Sequence, residues 1–169
     1  GPGTPERRMS RSIFPTRIAH LFEHSAHLKT VAATIHREFW RDRPGYSPAT
    51  FERLLADAAS AERIPLCLIA LAGDEVAGTA NLIENDDEAR PHSRPWLAAV
   101  VVRPEFRGAG VGTALVERIA GEARRLGHRT VHLGTGSPAF YARLGARPLE
   151  WARPDLLVMA LDVDGERRA

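Results

Sequence analysis

The sequence predicts an α/β domain built on a mixed β-sheet, antiparallel in its N-terminal part and parallel at its centre, with helices on both faces. Two apolar runs, residues 66–71 and 76–83, are separated by Gly73 and Asp74, which is typical of a hairpin. Further along, a strand pattern, a helical pattern and another strand pattern follow one another over residues 97–133. This order indicates a right-handed parallel unit.

Two helices are expected between the first strand and the hairpin. Residues 17–21 alternate weakly as a strand, and Ser25 suits the cap of a helix whose apolar residues recur up to Phe39. Ser47 followed by Pro48 predicts the start of the second helix, because proline is favoured at the first helical position. The face that this helix should bury consists of Phe51, Leu54, Leu55 and Ala58.

The second half of the chain supplies the central strand and its crossover helix. Residues 84–95 are acidic and contain prolines, so we expect a loop there. Residues 97–102 are apolar on both faces, which suits a strand covered by helices on both sides. A helix should follow residues 108–112 and end at Gly127. The remaining elements are a strand at 130–133, a short helix at 138–144, and strands at 147–151 and 156–163.

Length and composition favour one domain. The chain has 169 residues, 44% of them hydrophobic, and no apolar run approaches the roughly 20 residues of a membrane-spanning helix, so no membrane partner is expected. Residues 1–8 are set aside as a cloning remnant or a disordered segment, which leaves 9–169 as the domain. A net charge of +2 does not indicate a nucleic-acid partner, and the single Cys67 favours a cytoplasmic location.

A glycine-rich turn lies between the central strand and the long helix. Gly108, Gly110 and Gly112 allow unusual backbone dihedral angles, so that successive N–H groups can converge on an anion. The first turn of the helix adds unpaired N–H donors and the positive end of its dipole. The glycines alone leave two interpretations open, a pyrophosphate site and a plain strand-to-helix turn.

Two other phosphate-binding motifs do not match. A nucleotide P-loop ends in Gly-Lys-Ser/Thr, whereas Gly112 is followed by Thr113 and Ala114. A dinucleotide fold needs an acid at the end of the next strand, where this chain has Leu-Gly-Thr-Gly at residues 133–136. The sequence therefore argues against a kinase-like clamp and against a nucleotide-dependent oxidoreductase.

The spacing Arg107-x-x-Gly110-x-Gly112 after a central strand resembles the signature of the GCN5-related N-acetyltransferase (GNAT) family, Gln/Arg-x-x-Gly-x-Gly/Ala. The resemblance continues in residues 95–108 and 139–146, and more loosely over 17–162. It implies a sheet whose two central strands splay apart. It also implies an acyltransferase that moves an acetyl group from acetyl-CoA directly to a primary amine of a small molecule or peptide.

The same resemblance implies where acetyl-CoA, the co-substrate, is held. The backbone amides of Val100, Val101 and Val102 would face the pantetheine and acyl group, with Val100 serving the thioester carbonyl. The pyrophosphate would be held by Arg107, Gly108, Ala109, Gly110, Val111, Gly112 and Thr113.

Acyl transfer also requires a neutral amine and a proton for the departing thiolate. Tyr141 matches the tyrosine that protonates this thiolate in many family members, although a pair with Phe140 would also suit a packed helix. The central strand has no carboxylate where some members keep their base. Glu84 is therefore the candidate base, acting directly or through a water, unless the acidic segment is simply a solvated loop. Its alternatives are Asp86, Asp87 and His92.

The acceptor is expected to meet acids and aromatic rings. The acids that would attract a cationic amine are Glu84, Asp86, Asp87 and Glu88, and the candidate wall residues are Trp40, Tyr46 and Trp96. No metal is expected, because His20, His24 and His27 lack a carboxylate or cysteine partner at matching spacing. An acyl-CoA-binding module without efficient turnover stays open as an alternative, and a homodimer is compatible with the sequence.

Overall fold

A computed structural model describes residues 15–164, and the expected remnant at 1–8 lies outside them. The strands in these residues are β1 (Arg17–His20), β2 (Leu66–Ala72), β3 (Glu75–Ile83), β4 (Trp96–Val102), β5 (Thr130–Thr135), β6 (Arg147–Arg153) and β7 (Leu156–Asp162). They form one sheet in the order β1-β2-β3-β4-β5-β7-β6. Neighbours are antiparallel except β4 and β5, which are parallel, so the predicted mixed sheet is confirmed.

The α-helices in the described part of the chain are α1 (Leu28–Ile35), α2 (Pro48–Ala56), α3 (Val111–Arg125) and α4 (Pro138–Arg143). At two of these helices, residues visible in the sequence explain where the helix begins. At α2, the N–H of Ser47 donates to the hydroxyl of Thr50 at 3.2 Å, and proline occupies the first turn. At α3, Gly110 immediately precedes the helix in the left-handed conformation.

The single helix predicted to begin at a Ser25 cap and to carry apolar residues up to Phe39 differs from the structure at both ends. A 3₁₀ helix (Leu21–His27) precedes α1, and its His24 has non-helical dihedral angles. A π-helical turn (His36–Trp40) follows α1. Because the hydrogen bonds of a π turn span five residues instead of the four of an α turn, the turn changes which side chains share a face. Phe39 consequently lies 44% exposed instead of in the core.

The sheet is covered on both faces, and β2 shows how. Successive strand residues face opposite sides, so an interior strand of this kind must be apolar throughout. Leu68 belongs to the cluster that includes Leu115 and Ile119 of α3. Its neighbour Ile69 belongs to the other cluster, which includes Ile35 of α1 and Leu55 of α2. Helix α3 therefore covers one face, and α1 with α2 covers the other.

The centre of the sheet is distorted. Along β3, Thr79 pairs with Val101 and Asn81 pairs with Ala98, which leaves the two intervening residues of β4 opposite one residue of β3. This is a β-bulge, and Ala99 within it has a φ of 51°. On the other side of β4, the pairing with β5 within residues 15–164 is limited to Trp96 with His132. The two parallel strands therefore separate beyond Trp96.

Candidate active site

A cleft of about 1460 Å³ occupies the gap between β4 and β5. Ala98, Val100 and Val102 line it from β4, while residues 134–136 line it from the end of β5 and the turn after it. Ligands of α/β folds commonly bind at the carboxyl ends of parallel strands, where the loops and helix starts meet. The bulge and the strand separation thus place backbone groups of β4 along an open cavity.

One end of the cleft is lined by the glycine-rich turn and the start of α3. Gly108 and Gly110 have φ angles of +82° and +83°, and a Cβ built on either would meet nothing within 4 Å. Conformation, and not space, therefore requires glycine at these two positions. The Nε of Arg107 donates to the carbonyl of Val102 at 2.8 Å, which ties the turn to β4.

The start of α3 fits an anion. The first intrahelical bond runs from the N–H of Ala114 to the carbonyl of Gly110 at 3.0 Å, so the preceding N–H groups begin the helix without a partner in it. Val111, Gly112 and Thr113, which carry those groups, all line the cleft. Together with the dipole of this 15-residue helix, they form a cradle of the kind that binds phosphate groups.

Tyr141 lines the cleft from α4, and its ring stands edge-on to Phe140 with 4.9 Å between centroids. Burial raises the pKa of its hydroxyl to about 12. Among residues 15–164 this hydroxyl has no hydrogen-bond partner. A neutral donor is therefore available in the cleft throughout the physiological pH range.

The acidic loop, residues 84–95, lies beside the cleft, but its acids are not equivalent. Asp86, Asp87 and Glu88 line the cavity, whereas the candidate base Glu84 does not, although Glu84, Asp86 and Glu88 are all exposed. Asp87 forms an ion pair with Arg90 at 2.5 Å. The pKa of the Asp86 carboxyl is raised, mainly because the surrounding protein removes water from it and also because the negative charge of Asp87 is near.

An aromatic cluster from α2, the π-helical turn and the segment between them forms one wall of the cleft. The ring of Trp40 lies 4.4 Å from that of Tyr46 and 5.9 Å from that of Phe51, centroid to centroid. The guanidinium of Arg43 lies 4.8 Å above the ring of Trp40, within cation–π range. Trp96, the third expected wall residue, also lines the cleft but is only 2% exposed, so it belongs to the floor.

The sequence profile of the Acetyltransferase (GNAT) family matches residues 32–146. The chain belongs to this family. N-alpha-acetyltransferase 80 of Mus musculus is similar to it, with 35% identity over 99 residues, which are 55% of this chain and 31% of the mouse protein. The match thus spans about a third of that relative's length.

Solved structures share the fold of this GNAT chain. An aminoglycoside 6'-N-acetyltransferase complexed with coenzyme A is 18% identical, with a TM-score of 0.67 and coverage of 88% of this chain and 97% of that one. The aminoglycoside 6'-N-acetyltransferase of Enterococcus faecium is 20% identical, with a TM-score of 0.66 and the same coverage. The Salmonella typhimurium protein yncA, solved with its cofactor acetyl-CoA, is 19% identical, with a TM-score of 0.62 and coverage of 89% and 95%.

Sequence reasoning missed two parts of this GNAT cleft. It noted residues 133–136 only for lacking an acid, although the end of a parallel strand should lie beside the end of β4, and this signal would have found them. It also placed Leu54 on the buried face of α2, whereas Leu54 is 57% exposed and lines the cleft. No local signal marks Leu54, because its exposure follows from the open cavity beside α2.

The histidines near the N-terminus lie away from the cleft lining. His20 is buried, and its Nε2 lies 3.3 Å from an Oε1 of Glu122 on α3. Among residues 15–164, no group of three or more histidine, cysteine or acidic side chains is arranged to hold a metal ion. Over the same residues, no helix combines the length and the apolar character needed to cross a membrane.

Proposed function

We propose that the protein is an N-acetyltransferase that transfers an acetyl group from acetyl-CoA directly to a primary amine of a small molecule or peptide. Membership of the GNAT family supports acetyl transfer, and similarity to an N-alpha-acetyltransferase supports an amine as acceptor. The observation that carries the proposal is one continuous cleft that holds an anion cradle, the free hydroxyl of Tyr141 and the carboxylate of Asp86.

The cradle fits the pyrophosphate of acetyl-CoA, and two of the similar solved proteins contain CoA or acetyl-CoA. In this proposal the N–H groups of residues 111–113 and the free end of Arg107 hold the phosphates. The gap between β4 and β5 takes the pantetheine arm. We assign the backbone N–H of Val100, in the bulge, to the thioester carbonyl oxygen, where a fixed donor stabilises developing negative charge.

When bound, acetyl-CoA supplies a carbonyl carbon for the amine to attack and a thiolate that departs. Tyr141 donates its hydroxyl hydrogen to the departing sulfur. Its pKa of about 12 lies above the ~8.5 of a thiol, so outright transfer would be uphill by roughly 5 kcal/mol. The hydroxyl therefore hydrogen-bonds to the sulfur and gives up its proton only as a proton from the amine replaces it.

The amine must reach the cleft and lose a proton before it can attack. Asp86 suits this role better than Glu84, because Asp86 lines the cavity and Glu84 does not. Among the described residues Asp86 forms no ion pair or hydrogen bond, and the raised pKa of its carboxyl makes it a stronger base than an ordinary aspartate. We therefore assign the base to Asp86.

Thiol release from acetyl-CoA, measured against a panel of polyamines, aminoglycosides, amino acids and peptides, tests the proposal. Release that depends on a primary amine supports it. Tight binding of acetyl-CoA by calorimetry with no release for any amine would instead identify a binding module without turnover. Asp86→Asn should lower kcat/KM far more than Glu84→Gln, and the reverse order would return the base to Glu84.

A further inference from the structure

We infer that Arg90 and Glu150 are positioning residues for the acceptor amine, because they bind the acidic loop to β6 and so keep Asp86 at the cleft. The inference rests on the proposed function and adds to it the means by which the loop is held. It concerns an ion pair between residues that lie 60 positions apart in the chain.

The loop is first folded around the side chain of Asn85. The Nδ2 of Asn85 donates to the carbonyls of Arg90 at 3.0 Å and Ser93 at 3.2 Å. Its Oδ1 accepts the N–H of Asp87 at 3.0 Å, and the Oδ1 of Asp87 in turn accepts the N–H of Ala89 at 3.0 Å. These bonds give the loop a defined internal shape. Its C-terminal end is also tied to the sheet, because Trp96 Nε1 donates to the carbonyl of Ser93 at 2.5 Å and the N–H of His132 donates to that of Pro95 at 2.9 Å.

Arg90 adds an attachment from the middle of the loop to the edge strand β6. Its Nη1 lies 2.5 Å from Asp87 Oδ2, and its Nε donates to Glu150 Oε1 at 2.7 Å. One planar guanidinium thus joins a carboxylate of the loop to a carboxylate of β6, a geometry that arginine provides and lysine does not. The backbone of Glu150 is held in the sheet, where this residue pairs with Val158 of β7.

The bonds of the neighbouring residues restrain Asp86. Its two neighbours in sequence are both held, Asn85 by the backbone of the loop and Asp87 by Arg90, while among residues 15–164 Asp86 itself has no hydrogen bond or ion pair. The bridge therefore restrains the segment that carries Asp86. The bridge also pairs the carboxylate of Asp87 with Arg90, whereas the carboxylate of Asp86 has no such pair among the described residues and lies at the cleft, where it can meet a cationic amine.

Glu150→Ala separates this role from a merely structural one. Exposed ion pairs contribute little to folding, and the Glu150 side chain is 60% exposed, so the variant should fold. Glu62→Ala is the matched control, because Glu62 forms a comparably exposed pair with Arg125 at 3.0 Å, spans 63 residues and does not line the cleft.

We expect Glu150→Ala to raise the KM for the amine about 3- to 10-fold while the KM for acetyl-CoA changes less than about 2-fold. Hydrogen–deuterium exchange should accelerate within residues 85–93 and stay unchanged in the turn at 107–113. Glu150→Gln keeps an oxygen that can accept from Arg90, so it should restore most of the wild-type KM. Glu62→Ala should leave both KM values and the exchange of the loop at the wild-type level.

Wild-type exchange in the loop of Glu150→Ala, or an equal rise in both KM values, would overturn the inference. A KM rise of the same size in Glu62→Ala would overturn it as well. If the wild-type protein turns over no amine, the proposed function fails, and the exchange measurement still decides whether the bridge holds the loop.

Discussion

Replacing Tyr141 by phenylalanine removes one hydroxyl and keeps the ring that packs against Phe140. Because this hydroxyl has no partner among the described residues, its loss strands no protein donor or acceptor, and the stability of the fold should hardly change. A hydrogen bond to a charged group contributes about 1.5–3 kcal/mol. At about 1.4 kcal/mol per factor of ten, kcat should fall roughly 10- to 150-fold.

Single-turnover thiol release at saturating acetyl-CoA and amine, from pH 6 to 9, measures this loss without a contribution from product release. Affinity for acetyl-CoA should be unchanged, because the sulfur needs the donor only as it departs. Tyr46→Phe is the control: it removes a hydroxyl from the other tyrosine, on the aromatic wall, so any effect should appear in the amine KM. Equal single-turnover rates for Tyr141→Phe and wild type across this pH range would refute the assignment.

Three further predictions concern the cradle and the core. Gly110→Asp places a carboxylate where N–H groups converge, so calorimetry should show at least a ~10-fold loss of acetyl-CoA affinity, and a smaller loss for Gly110→Ala, which carries only the backbone strain. Burial alone would raise the pKa of Glu122, but Arg125 and the other cations around it outweigh burial and lower it. Glu122→Gln should therefore cost about 1–3 kcal/mol at pH 7 in urea unfolding. The difference from wild type should shrink as the pH falls below 4.5, because the wild-type carboxylate then loses its charge. Burial raises the pKa of Cys67 to about 12, so a thiol reagent should modify it only after denaturation, and labelling of the native protein at the rate of a free thiol would contradict this.

Elements whose cause is local were predictable from the sequence. The apolar run of β2 and the turn at residues 73–74 gave the hairpin, and Ser47 with Pro48 gave the start of α2. The π-helical turn after α1 was not predictable. It accompanies the packing of Trp40 against Phe51 of α2, a contact between residues whose pairing no local pattern specifies.

At the candidate site, too, features with a local cause were predictable and features that depend on distant contacts were not. The turn at Gly108 and Gly110 was predictable because its positive φ angles require glycine. The choice among the acids was not, since Glu84 and Asp86 are two residues apart on an irregular loop that has no periodicity. Asp86 lines the cleft in a loop that Arg90 bonds to Glu150, and these two residues are 60 positions apart in sequence. The role of Tyr141 in proton transfer stays a prediction.

The separation of β4 from β5 divides the sheet into two panels, β1–β4 and β5–β7–β6, which within residues 15–164 share the Trp96–His132 pair as their strand pairing. A ligand in the gap would contact both panels at the place where strand-to-strand hydrogen bonds between them are absent within residues 15–164. Bound CoA would therefore connect two panels that share little strand pairing of their own. We therefore expect bound CoA to slow the movement of the two halves of the sheet against each other.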